Sequence, residues 1–355
     1  MKRGTCTILL LLCVMCFCTA VPSTSAQVAT SVKVAASIEP LAGLVGEVGG
    51  IHVQTSVLLP EGIEPHAATL PPQAVADAEA ADLLVLSGHF PWEQDLVAQV
   101  STPYITLDDV SALENYEDYG ARLSDMPGTH EEAGILVAAQ HDHEGNPHGW
   151  WLLPTNAVAI ANATRAALTY LNATLSSVWE ANFEKFVLAV DSLMHLIAQT
   201  DETSHFTSMH AVVVSPAEAY VAEAFGIQVE AVLQVEEVLV SGIELLEIQD
   251  AIRNGTITLI LGSDVARLQA GGEYAVQLSE DYDVPLVWCR AVFFEGMADY
   301  IAVMTYNLGS LTSGLEGTAG VGGGPVNLAL AGLAGVLGLV AVLEAVVLVR
   351  RAQND

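Results

Sequence analysis

The chain has 355 residues, 52% of them hydrophobic, with 11 Lys and Arg against 42 Asp and Glu and a formal net charge of −31. That length allows two domains, each able to bury a core. So acidic a chain repels nucleic acid and anionic lipid, which excludes a nucleic-acid-binding protein; its field draws in cations, while a solvated acidic coat that needs no ligand is the leading account of the charge.

Lys2 and Arg3 precede an apolar run from Thr7 to Ala20, and Thr24-Ser25-Ala26 offers small residues for cleavage, so residues 1–26 are predicted to be a secretory signal. No small residue stands just before Cys13, Cys16 or Cys18, and no lipid attachment is expected there. Cys289 is then the sole cysteine of the mature chain and has no partner for an intrachain disulfide.

From Val32 short apolar strands alternate with helices. "VKVAAS", "HVQTSVLLP" and "LLVLSG" read as strands, and "IEPLAGLVGEVGG" and "PPQAVADAEAAD" as helices. Nearly continuous apolar strands separated by helices predict a parallel sheet covered on both faces, an N-terminal α/β lobe over 27–154. Between Gly120 and Gly145 the pattern breaks into a polar loop containing "HDHEG". From Thr155 to about Leu196 one long helix is predicted, roughly 60 Å at 1.5 Å per residue, more than one small domain needs; residues 155–198 are assigned as a linking helix. The alternation resumes over 199–311 with strands "HAVVVS", "IQVEAVL", "ITLILG" and "VPLVWC", separated by helices, and a last helix "MADYIAVMTYNLGSL". Residues 312–325 read as a Gly-rich tether. From Val326 to Val349 the only ionisable residue is Glu344, enough apolar length for a transmembrane helix, with Arg350-Arg351 in a cytoplasmic tail over 350–355. With Lys2, Arg3 and the tail set aside, the predicted ectodomain carries seven basic and forty acidic residues, a net charge near −33. The sequons at Asn162, Asn172 and Asn254 suit such an exposed chain.

Two Pro-His pairs stand at matched places, "GIEPHAATLPPQ" around His66 and "GNPHGWWLLPTN" around His148. In open parallel sheets the ligand crevice lies beyond the carboxyl ends of the strands, and neutral imidazole is the commonest ligand for transition metals, so both are candidate ligands in a cleft. His141 and His143, with Asp142 and Glu144, form a candidate metal-capture loop, with plain loop as the alternative. Glu64, Glu218, Asp264 and Cys289 are nearby groups that could complete a site; each alone also reads as a solvated carboxylate or a buried thiol, and Arg290 beside Cys289 would lower that thiol's pKa. His89, ahead of "FPWE", reads as structural in preference to cleft-lining. No Gly-rich phosphate loop, G-x-S-x-G elbow or H-E-x-x-H helix is present.

The order "EPLAGLVGEVGG…VLLPEGIEPHAATLPPQAVADAEAADLLVLSG…NPHGWWLLPTNAVAIA…AYVAEAFGI…DYIAVMTYNL" resembles the zinc/manganese (cluster A-I) solute-binding proteins of ABC importers over about Val32 to Leu311. The resemblance implies two lobes joined by a rigid long helix and a metal, Zn2+ or alternatively Mn2+, held between them by side chains from both. It places the first two ligands on His66 and His148. The third family position falls on Ser215 and the fourth on Arg290, neither of which is a family ligand, so Glu218 and Cys289 are the expected replacements. Expected partners are the permease and ATPase of a metal importer, with a monomeric, membrane-anchored ectodomain outside the cell and no enzymatic activity. A diverged member acting as a surface sensor, or a zinc-dependent hydrolase, are the alternatives.

Overall fold

The computed structural model describes residues 31–60, 62–127, 145–236, 238–293, 297 and 299–318. The predicted signal, His141, His143 and the predicted membrane span lie outside these residues. Among the described residues no helix is long and apolar enough to cross a membrane.

Two parallel sheets are built by the alternation of the sequence. The first runs in the order β2 (Val53–Val57), β1 (Val32–Ala36), β3 (Leu83–Val85), β4 (Tyr104–Thr106) and β5 (Glu114–Asn115). Its centre is β1, where Val34 pairs with Thr55 on one side and Leu83 on the other. The second sheet has β6 (His210–Val213), β7 (Gln228–Val232), β10 (Leu259–Ser263) and β11 (Leu286–Cys289) in the order β11-β10-β6-β7. Between them in sequence, β8 (Gln234–Val235) and β9 (Val238–Leu239) form a small antiparallel hairpin.

Proline starts most of the helices that follow these strands. Its fixed φ suits the first turn, where an N–H would be unsatisfied in any case. α1 (Glu39–Gly49), α2 (Pro72–Ala80), α3 (Pro91–Gln99) and α4 (Pro154–Leu171) all carry it at their first or second position, and Pro216 caps α6 (Ala217–Phe225). α7 (Gly242–Arg253) starts instead with a capping box, Ser241 and Glu244 each closing on the other's amide. α8 (Ala270–Tyr282) and α9 (Tyr300–Thr318) complete the chain.

Two boundaries differ from expectation. The single helix predicted from Thr155 to Leu196 is α4 followed by α5 (Ser176–Ser204), and the chain folds back between them. Asn172 leaves helical geometry, and its side chain accepts from the Thr174 amide and hydroxyl. The fold-back lets Arg165 reach Glu180 at 2.8 Å, across fifteen residues of sequence. The 29-residue α5 is therefore the long element, about 43 Å at 1.5 Å per residue. The last helix also runs past Leu311 into the stretch expected as tether, ending at Thr318. Gly314, within it, passes close to β11, where a Cβ would come to 2.5 Å from Val287 Cγ2.

The expected lobes do not keep separate interiors. One apolar core runs from Val34, Leu44 and Leu84 through Trp150, Trp151 and Phe186 to Val213, Tyr220 and Tyr300, and a second, smaller one lies around Ile248, Ile260 and Leu278. Polar ties reinforce the junction. Trp151 donates to the Ala291 carbonyl at 2.9 Å, and Tyr300 to the Leu152 carbonyl at 2.7 Å.

Candidate metal centre

Three histidines meet where the carboxyl ends of the strands open into a cleft. His66 lies on the loop after β2, His89 on the loop after β3, and His148 just ahead of α4. Because β2 and β3 flank β1 in the sheet, their loops are neighbours in space although 23 residues separate the two side chains. His66 Nε2 is 2.8 Å from His89 Nε2, and His89 Nε2 is 3.1 Å from His148 Nδ1. One ligand nitrogen from each lies within 4.8 Å of the others, a group that could hold a metal ion. A tetrahedral ion with bonds of about 2.1 Å places its ligand atoms about 3.4 Å apart, close to this spacing.

Each histidine is fixed from behind, His66 through its ring and His89 and His148 through their backbone amides. Glu64 Oε1 sits 3.0 Å from His66 Nδ1, and Glu64 Oε2 accepts from the Ala67 amide at 2.7 Å. Such a carboxylate fixes the ring and leaves Nε2 for the metal. Burial pushes the Glu64 carboxyl up, but its hydrogen bond to His66, the attraction of that ring and the local amides outweigh this and hold it below its ordinary value. His89 depends on Glu93, a fully buried carboxylate in the first turn of α3. It accepts from the amides of Ser87, Gly88, His89 and Phe90 at 2.8 to 3.3 Å, and from the Ser87 hydroxyl at 2.9 Å. For His148, buried Asn146 accepts from the His148 amide at 3.0 Å and donates to the Pro216 carbonyl at 2.9 Å. Gly149 turns the chain with φ +79, and a Cβ there would lie 2.9 Å from the Ala217 carbonyl.

The cleft holds a cavity of about 30 Å³. Phe90 and Trp151 wall it on the histidine side, and Ser215, Glu236, Val265 and Val292 line it from the second sheet. Glu64 and Ser215 thus line the cleft with the histidines, while Glu218, Asp264, Cys289 and Arg290 do not. Glu218, in the first turn of α6, is fully buried and accepts from the Ser215 amide; burial pushes its carboxyl up to about 7. Asp264, raised to about 6 by burial, accepts from the amides of Val265, Ala291, Val292 and Phe293 at 2.8 to 3.4 Å. Cys289 is buried at the end of β11, and burial, with the charges of Glu218 and Asp264, raises its thiol rather than lowering it as expected from Arg290. Arg290 stacks 5.5 Å from the Tyr306 ring centre, and both Cys289 and Arg290 line a separate cavity of about 230 Å³. None of Glu218, Cys289 and Arg290 belongs to the three-histidine group.

His89 carries no proline ahead of it and so lacks the signal that singles out His66 and His148. Its position immediately beyond a buried strand, "LLVLSGH", is the sequence feature that would have found it.

The comparisons with known proteins agree with the fold. A zinc-bound ZnuA carrying a deletion of residues 138–173 is 21% identical, covers 80% of this chain and 97% of its own, and superposes with a TM-score of 0.62. The solute-binding protein FpvC from Pseudomonas aeruginosa, in complex with manganese, is 16% identical over 81% of this chain and 99% of its own, with a TM-score of 0.63. A manganese-bound periplasmic metal-binding protein from Candidatus Liberibacter asiaticus is 16% identical over 81% of this chain and 100% of its own, with a TM-score of 0.61. At such identities the likeness shows the fold. No curated protein matches the chain significantly. The family model described as ZnuA, zinc-uptake complex component A, periplasmic, matches residues 34–314, and the chain belongs to that family.

Proposed function

We propose that the protein captures a divalent transition metal outside the cytoplasm, zinc first and manganese second, and delivers it to the permease and ATPase of an ABC importer. The observation that supports this is the convergence of His66, His89 and His148 at the mouth of the cleft. A set of imidazoles favours zinc, because manganese prefers carboxylate, carbonyl and water oxygens. The metal is cargo, and the reading is of a carrier without catalysis. The family's periplasmic description fits delivery from outside the membrane, with residues 326–349 as the proposed anchor and a monomeric ectodomain.

Calorimetry on the full-length protein tests the reading. Zinc should bind at about pH 7.5 and weaken by at least about tenfold at about pH 5.5, because imidazole ligates only when neutral and its free pKa is about 6.5. Replacing His66, His89 and His148 together by Ala should abolish tight binding. Equal zinc affinity in that variant and in the wild type would reject the site.

A further inference from the structure

Ser124 and Asn146, on either side of the polar stretch that precedes His148, pair as a single antiparallel bridge. A directly opposed pair in its hydrogen-bonded form exchanges two N–H···O bonds. One is present, from the Asn146 amide to the Ser124 carbonyl at 2.7 Å. In place of the other stands the hydroxyl of Tyr220, on α6 in the second half of the chain. It accepts from the Ser124 amide at 2.9 Å and donates to the Asn146 carbonyl. A phenol has one proton to give and lone pairs to receive, and both are used here within one backbone pair.

The rest of α6 supports this contact. Tyr220 and Glu223 stand three apart, on one face of the helix, and Pro216 opens it. Glu223 accepts from Arg122 at 2.7 Å and from the Ser124 hydroxyl at 2.5 Å. The Pro216 carbonyl accepts from the Asn146 side chain at 2.9 Å. Asn146 relays these ties to the cleft. Its side chain accepts from the His148 amide at 3.0 Å, while its carbonyl is held by Tyr220. Tyr220 and Asn146 are both fully buried, so bulk water does not stand in for the hydroxyl. Burial also pushes the phenol up to about 12, so it keeps its proton wherever imidazole ligates.

We infer that Tyr220 is a positioning residue for metal capture: without touching the ion, its hydroxyl locks the Ser124–Asn146 pair and so fixes where Asn146 presents His148. This rests on the metal-capture reading above. His66 and His89 stand on loops of the first sheet, whereas His148 is registered against the second half of the chain through α6. The second half gives no imidazole to the three-histidine group, yet through α6 it sets the geometry of that group.

The test uses the full-length protein, zinc calorimetry and the visible absorption of bound Co2+, which reports the arrangement of its ligands. Tyr220→Phe keeps the ring and removes the hydroxyl. It should weaken zinc by about tenfold or more, the loss usual for a partner behind a metal ligand, and change the Co2+ spectrum. In a His148→Ala background the same change should cost almost nothing further, since it acts through His148. Weakening by the same factor in both backgrounds would overturn the assignment, because a general loss of stability acts on both. Zinc affinity and Co2+ spectrum unchanged in Tyr220→Phe, with binding still lost in the triple-histidine variant, would overturn it too and leave the capture site standing. Zinc affinity unchanged in the triple-histidine variant would overturn both readings. If thermal unfolding shows that Tyr220→Phe does not fold, Glu223→Ala, which loosens the same Ser124, takes its place in both backgrounds: a loss that needs His148 supports the assignment, and no loss or an equal one overturns it.

Discussion

Glu218, Glu93 and Asp264 share one habit: each turns a carboxylate inward at the carboxyl end of a strand and ties down the backbone amides of a loop that borders the cleft. A buried carboxylate has to be hydrogen-bonded to be tolerated, and these use main-chain N–H groups for it. Glu218 makes the effect measurable. Its folded-state value is raised from 4.5 to about 7, so folding takes up a proton wherever the unfolded carboxylate is ionised and the folded one is not. Below the unfolded value both states are protonated and the group contributes no pH dependence. Between about 4.5 and 7 stability falls as pH rises, by up to about 1.4 kcal/mol per pH unit for one proton, and above 7 the full cost persists. Glu218→Gln, neutral at every pH, should therefore gain stability relative to wild type across that window and level off above it. Denaturant titrations at several pH values check this, and a stability difference that stays flat from low to neutral pH would show that Glu218 is ionised in the fold. The residue scale is also where the sequence was least informative. Pro-His pairs draw attention to His66 and His148, but His89 meets them only through the strand order β2-β1-β3, a three-dimensional fact. The direction of Arg290, over Tyr306 in a cavity of its own, depends on packing between β11 and α9 that no local pattern encodes.

At the scale of elements, the alternation of apolar runs with proline-started helices made both parallel sheets legible. What escaped was short or interrupted. β4 and β5 have three and two residues, too few for any periodicity to register, and α3 reads "PWEQDLVAQ", with little apolar patterning. The fold-back at Asn172 is hidden because apolar spacing continues on both sides of it. The segment from Asn146 to Pro154 does the most work among the connections, since it presents His148, fills the junction with Trp150 and Trp151 and starts α4. Its geometry turns on Gly149. Any residue with a Cβ there must adopt the left-handed region and approach the Ala217 backbone of α6 at 2.9 to 3.0 Å, with a carbonyl oxygen rather than a flexible side chain as the obstacle. Gly149→Ala is expected to destabilise the protein by about 1–3 kcal/mol and to lower zinc affinity by displacing His148. Thermal unfolding of the metal-free protein together with zinc titration checks both effects; a wild-type midpoint would mean that the turn relaxes without cost.

At the scale of the whole molecule, charge and cargo have complementary sign. The formal net charge is −31, and only 11 residues carry a positive charge. A field of that sign raises the local concentration of cations around the cleft, whereas the three imidazoles that meet there are neutral when they ligate. The two contributions separate kinetically. Long-range attraction acts on the approach of the ion and is screened by salt, the Debye length falling from about 30 Å at 0.01 M to about 3 Å at 1 M. Bonds from imidazole nitrogen to metal act at contact and set how fast the ion leaves. Stopped-flow measurements with zinc, in a salt whose anion does not coordinate the metal, should show association slowing by about tenfold or more across that range of ionic strength while dissociation stays nearly constant. Removing acidic residues far from the cleft should reproduce the slowing at low salt without touching dissociation. Association that ignores ionic strength would mean that the acidic surface serves only to keep the chain soluble, and that capture depends on the histidine cleft alone.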